Sequence, residues 1–501
     1  MDESSVKTAQ KPRPFGGGYS FRRYTGQPDS SLVELPVPGG VVVPLLQGFG
    51  VTLSPLVAVG DTVTAGQVIA RDDNVISSPI HATINGRVTA IGTTSFGGRQ
   101  TPAVTISGDS TPSFQRLAGY SAQWQSLAPD RVEELLYLSG VTGLAREGIP
   151  TRFRSSVIAS ADVRHVIILI PGADAFNVSP AVLLSGDRSD QFMAGVSMVG
   201  RILPGAKLHV TSSVADHQVL QGLARLAPDN VEFHQLDARY PQDATELLVT
   251  SVLGGDFPFG YAAANIGVVI ADAQAMLAAH DAVVEGKPVI DRILALAGPG
   301  LSQPTHVRVR VGTQVEQVLS GRLKDTPLRI IRDSLIAGTE VTDRTAPVTR
   351  ADSLLVAALT NAEREPFAFA APGLHVESWS RAFLSKLLPL GIVAETNRHG
   401  EERPCIGCGW CAEACPVRIM PHLISRSLRF GIGEPLMRLG VFNCIDCNLC
   451  SVICPSKIPL ARQMRETKEK LQGSGCDNSS CVLPKFDLRG VDEYKGVRSV
   501  R

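Results

Sequence analysis

Eight of the ten cysteines of this 501-residue chain fall in two copies of one run, Cys405-x2-Cys408-x2-Cys411-x3-Cys415-Pro416 and Cys444-x2-Cys447-x2-Cys450-x3-Cys454-Pro455. None precedes Cys405. A secreted disulfide framework spreads its cysteines along the chain, so this clustering argues against one. It suits metal ligation. Zinc ribbons use two cysteines per knuckle, which leaves the third and fourth of each run without a role. An iron–sulfur cubane uses them all. Three closely spaced thiolates on a tight loop grip three irons, and the proline after the fourth cysteine turns the chain away.

The spacing is that of the bacterial ferredoxin run, in which the fourth cysteine serves the other of two clusters. By that rule cluster one takes Cys405, Cys408, Cys411 and Cys454, and cluster two takes Cys444, Cys447, Cys450 and Cys415. The 28 residues between Cys415 and Cys444 read as helical at 423–429 and 435–439. A helical dicluster ferredoxin domain is therefore expected over 396–471. It ends in a charged helix, 460–471, with Glu466 and Lys470 at i, i+4 spacing. Arg418, Arg426, Arg429, Arg438 and Lys457 surround the cysteines in sequence. They read either as a solvated basic face or as cations that offset cluster charge and meet an acidic partner. Cys476 and Cys481 lack a further His or Cys and read as spare thiols in a flexible tail, 472–501.

Lys plus Arg number 48, and so do Asp plus Glu. A net charge of zero gives no global reason to expect nucleic acid. Residues 416–501 carry 14 basic against 8 acidic residues, hence +6, which leaves −6 for residues 1–415. No stretch approaches the roughly 18 uninterrupted apolar residues of a membrane span. The N-terminus is polar and lacks the apolar core of a signal peptide. A cytoplasmic chain is expected.

The rest reads as multidomain α/β and α+β. Residues 1–30, rich in Gly, Ser and Arg, read as a flexible lead-in. Residues 31–115 show short apolar runs punctuated by Gly and Pro, with turn signals at Gly60-Asp61 and Asn85-Gly86. They resemble the barrel-sandwich (hammerhead) fold of lipoyl and biotinyl carriers, without a counterpart of the carrier lysine. Residues 120–300 alternate strand-like and helix-like segments, as in an open, Rossmann-like α/β domain of flavoprotein type. Residues 301–362 return to β character and read as a small β-grasp-like module of SLBB type. A linker, 363–395, follows. His81 and His165 read as satisfied core or edge histidines, and Asp272 and Asp281 as capping or solvated-face residues.

This order of modules resembles the C subunit of the Rnf-type electron transport complex. The resemblance rests on Val43-Pro44-Leu45, Val59-Gly60-Asp61-Thr62-Val63, Gly66-Gln67-Val68-Ile69, Ser78-Pro79-Ile80-His81-Ala82 and Tyr240-Pro241-Gln242. The stretch from Asp281 to Pro288, Pro347-Val348-Thr349-Arg350 and the cysteine runs extend it. It implies a peripheral subunit on the cytoplasmic face of a bacterial inner membrane, attached through other subunits. It also implies a small redox carrier (ferredoxin, NADH or quinone), and usually NADH oxidation through bound FMN. The glycine-dense loop that serves a nucleotide phosphate in that family corresponds here to residues 139–151. Gly140, Gly143 and Gly148 remain, but Ala145, Arg146 and Glu147 fill the centre, where a carboxylate repels phosphate. Gly172-Ala173-Asp174-Ala175-Phe176 and Ser179-Pro180 look more like the A subunit of the sodium-translocating NADH:quinone reductase, a relative without the ferredoxin domain. The expected function is an iron–sulfur subunit that relays single electrons through two [4Fe-4S] clusters, with FMN and NADH disfavoured. The alternatives are an active NADH dehydrogenase subunit with FMN in the α/β domain, and an adaptor with structural clusters.

Overall fold

The computed structural model describes residue 10 and residues 14–475, except 22, 49, 97–98, 109, 229, 258–260, 361–378, 380–387, 389, 397–400 and 432. Cys476, Cys481 and most of the expected linker lie outside the described residues. Sixteen strands form four sheets among them.

The first module is β. Its main sheet runs in the order Gly40–Pro44 (β2), Arg99–Gly108 (β7), Gly86–Phe96 (β6) and Thr62–Val63 (β3), all antiparallel. A two-stranded pair, Val68–Ala70 (β4) with Ile80–His81 (β5), lies beside it. Val41, Val43, Ile69, Ile84, Val88, Val104 and Ile106 interleave between the two layers, giving the barrel-sandwich core. Asn85-Gly86 joins strands of different sheets and is not a hairpin. The Asn85 side chain accepts from Ala65 N at 2.8 Å. A Cβ on Gly86 would stand 2.1 Å from Ser107 O, so glycine is set there by close backbone approach.

The α/β body holds a parallel sheet in the order Val231–Leu236 (β10), Lys207–Ser213 (β9), His165–Leu169 (β8) and Val268–Asp272 (β11). One face packs on the helices Arg188–Ile202, His217–Leu226 and Ala273–His280. The other packs on the helix Thr245–Leu253. Runs such as Val166–Ile170 are apolar at every position because both faces are covered. Asp272 caps the helix Ala273–His280, accepting from Ala275 N, and also pairs with Arg292.

A second, mixed sheet follows the order Leu32–Glu34 (β1), Thr305–Arg310 (β13), Asp291–Ala297 (β12), Leu354–Leu359 (β16), Leu328–Arg332 (β14) and Thr339–Glu340 (β15). It redraws two boundaries. Asp291–Ala297 leaves the parallel sheet and pairs with β13 and β16, and Leu32–Glu34 leaves the barrel-sandwich segment to edge the same sheet.

The lead-in is the larger correction. From residue 14 it is laid across the body. Tyr19 exchanges two backbone hydrogen bonds with Tyr240, Thr25 N donates to Ile392 O, and Gly18 N donates to Ala414 O. Tyr19 and Phe21 are buried, and they pack with Tyr24 and Tyr240. A Cβ on Gly17 would lie 2.7 Å from the carbonyls of both Ala414 and Cys415. The glycines that suggested flexibility are there to let backbones touch.

Candidate iron–sulfur site

The two cysteine runs are backbone copies of one another. Two places after the first cysteine, Gly407 and Asp446 take left-handed φ of 69° and 55°. Four places after it, Gly409 and Asn448 do the same at 77° and 63°. Three places after the fourth cysteine, Arg418 and Lys457 stand at 57° and 58°. Gly, Asn and Asp tolerate this region best. Each left-handed residue reverses the loop so that the next cysteine faces inward. The third cysteine of each run then opens a one-turn helix, Trp410–Glu413 or Leu449–Val452.

The exchange of fourth cysteines is visible in the sulfur neighbourhoods. Cys411 interacts electrostatically with Cys405, Cys408 and Cys454. Cys415 instead interacts with Cys444, Cys447 and Cys450. All eight are free thiols. The first group lines a cavity of about 810 Å³ together with Arg403, Arg426 and His422. Burial, reinforced by neighbouring sulfurs, pushes Cys411 and Cys444 up to about 11 and Cys447 up to about 12. Four thiols so placed stay protonated by themselves, and become thiolates when a cationic centre takes the protons' place. The donor set therefore fits iron–sulfur clusters.

The surroundings differ between the runs. Cys405 and Cys408 are exposed, with Ile406 70% exposed between them. The second run faces the body. Tyr240 Oη donates to Cys447 O at 2.9 Å, and Asn448 Nδ2 donates to Ile336 O at 2.7 Å. Lys468 donates to Cys444 O at 3.0 Å and pairs with Asp446. The connecting segment is helical, as expected, at Pro421–Ser427 and Glu434–Arg438. On the final helix, Leu460–Gly473, Glu466 pairs with Arg462 at 2.7 Å rather than with Lys470. Of the flanking cations, Arg426 reaches the first cysteine cavity, and Arg418 lines a second of about 700 Å³ beside Cys444. Lys457 is lowered by burial.

The 139–151 loop is arranged otherwise. Gly140 and Gly148 are left-handed, yet the space around the glycines is taken by protein. A Cβ on Gly140 would meet Pro79 O at 2.8 Å, and one on Gly143 would meet Arg350 Nη2 at 2.7 Å and Ser78 Cβ at 2.8 Å. The buried Arg350 guanidinium donates to Gln47 O, Pro79 O and Gly140 O. One side chain thus ties the barrel sandwich, the loop and the mixed-sheet module together. The centre of the loop has joined the edge of the parallel sheet. Ala145 bridges Ala271, Arg146 N donates to Ile270 O at 2.8 Å, and Ile270 N donates to Glu147 Oε2 at 2.9 Å. Burial pushes Glu147 up to about 7. Arg146 spends its guanidinium on Thr245 Oγ1 and Asp243 O. In the second altered segment, burial raises Asp174 to about 7, and the Asp174 carbonyl accepts from Asn177. His81 is a buried, satisfied histidine, with Nε2 2.8 Å from Leu138 O. His165 contacts His209. Asp281 pairs with Lys287 and is held low despite burial.

Sequence reasoning missed the clasp around the second run: Gly17, Gly18, Tyr240 and Ile336. The only signal available was Tyr240-Pro241, quoted for resemblance alone.

A barrel-sandwich module, a mixed α/β body and a dicluster module that gathers thiols define an iron–sulfur electron-transfer protein. Family models agree with that division: an RnfC barrel sandwich hybrid domain at 15–111, an NQRA C-terminal domain at 293–343 and a 4Fe-4S dicluster domain at 404–459. Similar proteins include the C subunit of a proton-translocating ferredoxin:NAD(+) oxidoreductase complex from Clostridium ljungdahlii, 25% identical over 82% of this chain and 84% of its own length. The C subunit of an ion-translocating oxidoreductase complex is 27% identical in Pseudomonas aeruginosa and 25% in Rhodobacter capsulatus, over 88% of this chain in both. The chain spans 53% of the Pseudomonas protein and 80% of the Rhodobacter one. The chain is of the Rnf C-subunit type and carries an NqrA-like domain.

Proposed function

We propose that this chain is the iron–sulfur relay subunit of an Rnf-type complex, in which Cys405, Cys408, Cys411 and Cys454 hold one [4Fe-4S] cluster and Cys444, Cys447, Cys450 and Cys415 hold a second. The observation that carries the reading is the exchange of Cys415 and Cys454 between two backbone-identical loops. When bound, each cluster accepts and passes on a single electron. The protein's part is to position and insulate. The buried Cys411, Cys415, Cys450 and Cys454 keep water from the inner faces, and adjoining sulfurs of Cys411 and Cys450 bring the two groups together. The exposed Cys405–Cys408 edge suits exchange with an external carrier.

Attachment runs through other subunits, as the relatives' names describe for those proteins. Among the described residues no helix is long and apolar enough to cross a membrane. A peripheral place on the cytoplasmic face follows from the family. The α/β body serves as docking scaffold, with the nucleotide loop closed by Arg350, Ser78 and Glu147.

The test is anaerobic reconstitution followed by iron, sulfide and flavin analysis. About eight irons per chain are expected, without stoichiometric FMN. The protein is then mixed with excess NADH and free FMN while cluster absorbance is followed. Rapid bleaching that saturates in both would replace the closed-loop reading with an active NADH dehydrogenase subunit. Two zincs and no labile sulfide would remove the relay itself.

A further inference from the structure

Across the edge of the parallel sheet, three histidines from three adjacent strands stand in line. His165 Nδ1 is 2.9 Å from His209 Nε2, and His209 Nδ1 is 3.0 Å from His234 Nε2. Glu232, two residues before His234, turns Oε2 toward the same point, 3.4 Å from His209 Nδ1 and 3.7 Å from His234 Nε2. All four side chains share the sheet face of the helix Thr245–Leu253, because strand residues two apart point the same way. The row is remote from the cysteines in sequence, and the electron relay makes no use of it.

We propose that His209, His234 and Glu232 form a binding site for a divalent transition-metal ion of the zinc class, with His165 as its outer-shell support.

The geometry supports this in three ways. Zinc binds nitrogen and oxygen at about 2.0–2.2 Å in a tetrahedron, so its ligand atoms lie roughly 3.3–3.6 Å apart. The three observed separations of 3.0, 3.4 and 3.7 Å straddle that range. A single ion at the centre needs only small side-chain adjustments. Second, the tautomers work out. A metal on His209 Nδ1 requires the proton on Nε2, and His165 Nδ1 stands ready to accept it. Metal-ligating histidines regularly have their other nitrogen held in this way. Both ligand imidazoles stay neutral, so binding needs a tautomer shift and no proton loss. Burial, with His234 and His165 beside it, already keeps His209 neutral, down at about 3.

Third, access is right. His209 and His234 are buried, while the Glu232 side chain is 43% exposed. A three-ligand site with one open, wet side leaves a fourth position for water. Lys207 and Arg164 oppose a cation here, since both act on His165, which makes the Glu232 charge decisive. The other group of His and carboxylates, His280, Asp281 and Glu285, already has a cation in place, because Lys287 pairs with Asp281. The ion would bolt β10, the sheet's edge strand, to β9. The arm at Gln10 joins that same edge, through Gln10 N to Phe233 O.

The test uses the cluster-loaded full chain, dialysed anaerobically against zinc-free buffer and then against zinc chloride. Metal content and zinc X-ray absorption are then measured. We expect about one zinc per chain with nitrogen and oxygen scatterers at about 2.0–2.2 Å and no sulfur. Glu232→Gln keeps the shape of a half-exposed strand residue. It should abolish retention while leaving the zinc-free melting curve unchanged. His165→Ala should weaken binding about 10- to 100-fold. No retained zinc, sulfur scatterers at about 2.3 Å, or retention unaltered in Glu232→Gln would each overturn the site and leave the row a hydrogen-bonded histidine chain.

Discussion

Gly407, Gly409, Asp446 and Asn448 in the cysteine runs and Gly140 and Gly148 in the 139–151 loop share left-handed backbone, but what lies beyond them differs. A Cβ on Gly407 or Gly409 would meet nothing within 4 Å, whereas one on Gly140 would strike Pro79 O. In the cysteine loops the reversed backbone opens a space edged by sulfur. In the other loop it lets protein fill the space with Arg350 and Ser78. Glycine spacing alone does not make a phosphate cradle. The volume in front of it does, and only the three-dimensional neighbours reveal that.

The largest effect that separates the two regions is cluster loss. Cys408→Ser and Cys447→Ser should each lower iron from about eight toward about four per chain. Cys447→Ser should also melt earlier, because its run is clasped by Tyr240 and its neighbour Asn448. Equal melting of the two variants would contradict the difference in their surroundings. By contrast, no substitution in the 139–151 loop should change iron content.

Next in size is a pH effect in the closed loop. The folded Glu147 titrates near 7, above its ordinary 4.5, chiefly through burial. A raised acid favours folding when protonated. Its contribution is therefore full below about 4.5 and is lost as pH rises through 7, by about 3 kcal/mol. Glu147→Gln should flatten that slope in denaturant titrations between pH 4.5 and 7. An unchanged slope would mean that the carboxyl reaches water and that the loop is open.

The smallest expected effect is Gly143→Ala. Its methyl group would press on Arg350, which three carbonyls hold in place, at a cost of about 2 kcal/mol. Urea unfolding measures it. If the alanine is neutral, the loop has slack, and a nucleotide could use the same slack.

Legibility followed the range of the interactions. The cysteine runs were readable because ligand spacing is a local property, and so were the four parallel strands, whose apolar runs carry their own burial. The destination of Asp291–Ala297 was not. An equally apolar strand suits either sheet, and only its partners, Thr305–Arg310 and Leu354–Leu359, decide. The 14–25 segment misled for the opposite reason, since its glycines signal freedom in isolation and contact in place. The histidine row was read singly at His165, because nothing local ties it to residues 44 and 69 positions away.

That amino-terminal strap has a consequence for how the molecule is made. Gly18 bonds to Ala414, and 414 minus 18 is 396 residues of intervening chain. On a ribosome adding about 5–20 residues per second, the strap emerges first and its seat emerges last. For some tens of seconds Tyr19 and Phe21 have no complete burial site. The cysteine module, in turn, finds its clasp already synthesised when its own residues appear. Loading of metal and closure of the strap are thereby both deferred to the end of translation.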